Sequence, residues 1–185
     1  MPDAARTRTA RRADAWPGLL MAACLALAVQ LGIGTAAAAD LPRPEGPVIL
    51  TVSGQIAHAN AGGRAEFDLE MLRRLGTHGF TTATIWTEGT SRYEGVPLRA
   101  VLDRVGASGG TITAVALNDY SVSFPLAEVT AEAPMLAFLR DGAPMSVRDK
   151  GPLWVLYPFD SDPAWRSEQT YSRSVWQLDR LRIGD

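Results

Sequence analysis

The chain has 185 residues, the length of one domain. Its formal net charge is −2, and from residue 40 onward 14 arginines and lysines face 18 carboxylates, a net −4. That mild acidity argues against a nucleic-acid or anionic-membrane surface. The one cysteine is Cys24, so everything downstream of it lacks a disulfide, a thiolate metal ligand and a cysteine nucleophile.

The chain opens on Arg6, Arg8, Arg11 and Arg12. An almost unbroken apolar run, Leu19 to Ile33, follows, then the small residues Ala36 to Ala39 and Asp40. A basic start, a short apolar middle and an Ala-x-Ala end are the parts of a secretory signal peptide, here residues 1–39. The apolar run is shorter than the ~20 residues of a membrane span, so we expect cleavage after Ala39 and no stable membrane anchor. The protein is then periplasmic or secreted. Arg11-Arg12 also invites a twin-arginine reading, against which stand Asp14 and the missing apolar residue there. Cys24 invites a lipoprotein reading, against which stand the nine largely apolar residues before Gly34.

Residues 40–46, with Pro42 and Pro44, read as a linker to one domain over 47–185. Pro47 to Ile56 alternates apolar residues as a half-buried strand does. Asp68 is placed to cap a short helix, Leu69 to Leu75, closed by Gly76. Phe80 to Thr87 is β-branched and reads as a strand. Glu88 to Arg92 reads as a polar loop. Pro97 suits the first turn of a second helix, whose buried face is Leu98, Val101, Leu102 and Val105 and whose end is Gly106. Thr111–Leu117 and Ser121–Phe124 read as strands joined at Asn118-Asp119. Leu136–Arg140 and Pro144–Val147 flank the hairpin signal Asp141-Gly142. Leu153 to Phe159 reads as a buried strand, and Val175 to Ile183 as a closing one. Many strands with two short helices is an α+β pattern.

His58 and His78 lie in different segments and make no metal-ligand spacing. No Gly-x-Ser-x-Gly elbow is present, and Gly109-Gly110 lacks the rest of a phosphate loop. Trp86 and Trp154 sit in strand runs and read as core. Trp165 stands in the polar segment SDPAWRSEQTYSRS with Arg166, Glu168, Tyr171, Arg173 and Ser174. Such a segment suits either a flat or anionic ligand, or a solvated loop with one anchoring Trp. Two more loops feed strands, where sites tend to lie: Asn118-Asp119-Tyr120 and Arg148 to Pro152, the latter with Lys150.

The order of YEGVPLRAVLDRVG (Tyr93 to Gly106), ALNDYSVSFPLAEV (Ala116 to Val129), MLAFLRDGAPMSVRDKGPLWVLYP (Met135 to Pro158) and YSRSVWQLDRLRI (Tyr171 to Ile183) resembles the molybdopterin-binding oxidoreductase domain of the sulfite oxidase superfamily. The resemblance implies a mixed, strand-rich α+β fold of that type in a compact version, with molybdopterin as the family cofactor. It also implies a metal-binding cysteine on the strand-loop before the Gly-Val-x-Leu helix. The corresponding stretch, Thr81 to Arg92, has none; the hydroxyls of Thr84, Thr87 and Ser91 are much poorer ligands for a soft metal than thiolate. Arg173-Ser174 stand where the family has a Lys-Ser pair that could hold the pterin phosphate, and a second family lysine is Trp176 or Gln177 here.

We therefore expect no protein ligand to a metal, and a cleft for a small anion or pterin built from Arg173, Ser174, Arg148, Lys150, Asn118, Asp119 and Tyr120. Two functions follow from the resemblance. One is a non-catalytic periplasmic binding or accessory module. The other is a molybdopterin-dependent oxidoreductase with an unusual or absent protein ligand to molybdenum.

Overall fold

A computed structural model describes residues 41–185; the signal-peptide reading of residues 1–39 lies outside them. The elements begin with β1 (Leu50–Gly54), β2 (Ala65–Phe67), α1 (Leu69–Arg74), β3 (His78–Ala83), β4 (Thr90–Pro97) and α2 (Leu98–Val105). They continue with β5 (Thr111–Ala116), β6 (Ser121–Pro125), β7 (Met135–Arg140), β8 (Ala143–Pro144), β9 (Trp154–Leu156), α3 (Glu168–Arg173) and β10 (Leu178–Gly184).

Two five-stranded sheets result. The first runs β2-β1-β10-β5-β6 and is antiparallel except for the parallel pair β1–β10. The second runs β3-β4-β7, with the free side of β7 shared by β8 at one end and β9 at the other. Side chains from both sheets meet in one continuous apolar cluster that includes Leu50, Phe67, Leu136, Trp154 and Leu181. The fold class is the expected α+β arrangement.

Local chemistry explains the junctions. The Asp68 carboxylate accepts from the backbone N–H of Met71 at 2.8 Å, capping α1, and from those of Glu45 and Gly46, also at 2.8 Å. These backbone donors, Gly46 first, hold its pKa below the ordinary aspartate value. Pro97 leads into α2, and Gly106 ends it in the left-handed conformation at φ 62°. Asp141 and Gly142 both have positive φ, as the two-residue turn between β7 and β8 requires. Between β5 and β6, Asp119 sits at φ 63° while Asn118 Oδ1 accepts from Tyr120 N–H at 3.1 Å, an Asx turn.

The buried face of α2 is the one expected: Leu98, Val101, Leu102 and Val105. Leu102 is 1% exposed. Leu102→Ala should cost about 3 kcal/mol, because the cavity left behind adds to the lost transfer energy. Urea unfolding checks this, and an unchanged midpoint would mean that this helix face is not packed.

Six expectations need correction. The hairpin arm read as Pro144–Val147 is only Ala143–Pro144, because Ser146 caps a 3-10 turn over Val147–Asp149, and the closing strand read from Val175 begins at Leu178. The segment read as a polar loop after Trp165 contains a third helix, α3, capped by Ser167, whose Oγ accepts from Thr170 N–H at 3.2 Å. The polar stretch Glu88–Arg92 is only partly loop: β4 starts at Thr90, since its outward polar residues pair with β3 from Thr90 on. β3 stops at Ala83, because Thr84 folds back to accept from Trp86 N–H at 3.2 Å. The run Leu153–Phe159 is buried throughout except Pro158, but it is a strand only over Trp154–Leu156.

Candidate functional site

Where β3 ends, where β5 turns into β6, and along α3 and its exit toward β10, the chain leaves an open cleft of about 640 Å³. Ile85 and Trp86 come from the turn after β3. Ala116, Asn118 and Tyr120 come from the β5–β6 junction. Glu168, Tyr171, Ser172 and Ser174 come from α3 and its C-terminal end, followed by Val175 and Trp176. The Tyr120 hydroxyl donates to the Ser172 carbonyl at 3.1 Å, closing the β5–β6 turn against α3. A second groove, of about 500 Å³, runs between the Pro42–Pro47 segment and α1, and none of the expected site residues lines it.

The cleft wall is aromatic for a structural reason. Trp86 meets four rings edge to face: Trp176 at 5.5 Å between centroids, Trp154 and Tyr171 at 5.8 Å, and Phe159 at 6.1 Å. Trp154, fully buried, donates its Nε1–H to the Ser174 carbonyl at 3.1 Å and so fixes the end of α3. Trp154 and Trp176 face each other across an isolated β-bridge. Lys150 lies over the same rings, its Nζ 4.6 Å from the Trp176 ring centre and 5.8 Å from that of Trp154. Its carbonyl accepts from Gln177 N–H at 2.9 Å, which ties the Arg148–Gly151 loop to the start of β10.

The structure brings some of the expected residues together and not others. Asn118, Tyr120 and Ser174 line the cleft, although the Ser174 hydroxyl is already donated to the Thr170 carbonyl at 2.9 Å. Lys150 reaches its margin through Trp176. Asp119 points elsewhere, in an ion pair with Arg180 at 2.6 Å. Arg148 is exposed on a 3-10 turn and does not line the cleft.

Arg173, the expected phosphate contact, is committed on another side of α3. Its guanidinium pairs with Glu128 and lies 5.3 Å from the centre of the Phe124 ring, leaving the side chain 11% exposed. It also adjoins Tyr157, whose hydroxyl burial pushes up to about 12 against the pull of that cation. The basic cradle expected from Arg173, Arg148 and Lys150 is therefore not assembled at the cleft. A helix rather than a loop spans Glu168–Arg173, and its turn carries Tyr171 and Arg173 to different surroundings.

Sequence reasoning missed Trp86 and Trp176 as cleft residues and Glu168 as the one charged side chain lining it. A signal was present for Trp86: it stands amid small hydroxyl residues, TTATIWTEGTS, not amid the apolar neighbours of a core strand.

The residues present do not fit a molybdenum centre. In the stretch where a thiolate is expected, Thr84 and Thr87 hydrogen-bond each other through their hydroxyls at 2.7 Å, and Ser91 accepts from Arg140 Nε–H at 2.9 Å. Hydroxyls so engaged are poor partners for a soft metal. Among the described residues, no group of three or more His, Cys, Asp or Glu is arranged to hold a metal ion.

Two sheets with this element order and a cleft beside α3 define a strand-rich α+β domain. Residues 52–161 match the family model of the oxidoreductase molybdopterin-binding domain, and the chain belongs to that family. No curated protein matches the chain.

Proposed function

We propose that the protein is exported, cleaved after Ala39, and acts in the periplasm or outside the cell as a non-catalytic binding or accessory module on the molybdopterin-binding fold. The observation that carries this reading is the cysteine-free turn after β3. Thr84 and Thr87 satisfy each other there, and Trp86 is packed into the aromatic wall. A metal centre of this family needs an anchor on the metal and an anchor on the pterin phosphate. The first is absent from Thr81–Arg92, and the arginine expected for the second is paired with Glu128. What remains is an aromatic-walled cleft able to hold a small ligand without chemistry on it.

One preparation tests both parts. Protein isolated from the exported fraction of molybdate-supplied cells should have the intact mass of a chain starting at Asp40, and elemental analysis should find far less than one molybdenum per chain. A retained N-terminus, or a lipid on Cys24, would show the processing wrong. Stoichiometric molybdenum would replace the accessory reading with the alternative, a molybdopterin-dependent oxidoreductase lacking the usual protein ligand.

A further inference from the structure

We propose that the cleft takes a small organic cation, an ammonium carried on an apolar or aromatic body, and discriminates against anions. This rests on the binding-module reading and assigns its ligand class.

Glu168 sets the sign. Among the described residues it is the only charged side chain lining the cleft, with Lys150 at the margin, and no hydrogen bond or ion pair engages its carboxylate. The nearby guanidiniums are taken: Arg173 by Glu128, Arg166 by Asp160, Arg180 by Asp119 and Asp179. The walls suit the same ligand. Trp86, Tyr120, Tyr171 and Trp176 line the cleft, and the face of an aromatic ring attracts a cation. Trp176 already draws one from the protein itself, the Lys150 ammonium at 4.6 Å. That ammonium has no carboxylate partner among the described residues, so Trp176 is what it leans on. The mouth offers apolar surface for the ligand's body: Ile85 is 63% and Tyr120 50% exposed.

Glu168 also has a bland use, since an acid in the first turn of α3 complements the helix dipole. Lys150 is the stronger discriminator. For a cationic ligand it is a competitor on the Trp176 ring and a like charge. For an anionic ligand it would be the main attraction.

The test uses the processed chain, with binding followed by tryptophan fluorescence and by calorimetry. Benzyltrimethylammonium is the cationic probe and benzenesulfonate the anionic one. The cation should bind saturably and the sulfonate at least tenfold more weakly. Glu168→Gln should weaken the cation by about tenfold, the loss of one charge-assisted contact. Lys150→Met should strengthen it several-fold, and both variants should melt as the parent does. The inference is overturned if the sulfonate binds as tightly, if Lys150→Met weakens binding, or if neither probe binds. Sulfonate binding that depends on Lys150 would leave the binding-module reading standing and reverse only the sign. Stoichiometric molybdenum in the native protein would remove that reading itself.

Discussion

Gly95→Ala should leave little folded protein. Gly95 lies in β4, between β3 and β7 in the second sheet, at the point where the β4–β7 register shifts between Glu94 and Gly95. A Cβ added there would sit 2.0 Å from the Leu136 carbonyl oxygen and 2.7 Å from Ala137 Cα. Both are backbone atoms of β7, so no side-chain rotation relieves the overlap. β4 and β7 would have to separate where Val96 pairs with Leu136, and the fully buried Val96 and Leu136 would lose their packing. A clash of this kind belongs with the rare substitutions that cost more than about 4 kcal/mol. Gly184→Ala is the comparison, because a Cβ at Gly184 meets nothing within 4 Å. Soluble yield and thermal unfolding of the two variants check the prediction. A Gly95→Ala protein that melts like Gly184→Ala would show that the two strands can part at the bulge without cost.

Where a local rule has a local physical cause, the sequence was a good guide. Asp68 as a cap, Pro97 before α2, Gly106 after it and Asp141-Gly142 in a turn are short-range events, and each is present. The family resemblance was legible too, because it rests on the order of several such pieces, and residues 52–161 match the family model. The site was only half legible. Asn118 and Tyr120, read as a polar strand junction, and Ser174, placed by the family resemblance, all line the cleft. Arg173 is placed at the cleft by the family resemblance and its guanidinium, yet its partner Glu128 is 45 residues away in sequence and only the fold brings them together. Trp86, read as core, shows the same limit. A tryptophan can pack one edge into a core and show another to a cleft, and no periodicity in the sequence distinguishes that from full burial. α3 escaped notice because EQTYSR carries no apolar stripe at helical spacing; only Thr170 on it is buried, and its start is set by Ser167.

Trp154→Ala should lower stability by about 4–5 kcal/mol, near the top of the range for deleting a large buried aromatic. Trp154 is fully buried and stands edge-on to Tyr93 at 5.6 Å and to Trp86 at 5.8 Å. Truncation removes both ring contacts and leaves a void that β9, pinned to β7 from Met135 to Ala137, cannot collapse to fill. It also strands the buried Ser174 carbonyl, which accepts the Trp154 Nε1–H. For a domain of this size the melting temperature should fall on the order of 10–20 °C. Trp154→Phe separates the two contributions: it keeps a ring in the void and loses the hydrogen bond, so it should cost about 1–3 kcal/mol. The cleft gives a second readout. Trp154 backs both Trp86 and Trp176, so Trp154→Ala should blunt the fluorescence response to benzyltrimethylammonium even at temperatures where the domain stays folded, whereas Leu102→Ala in α2 should leave that response intact. If the two variants respond alike, Trp154 supports the fold but not the aromatic wall of the cleft.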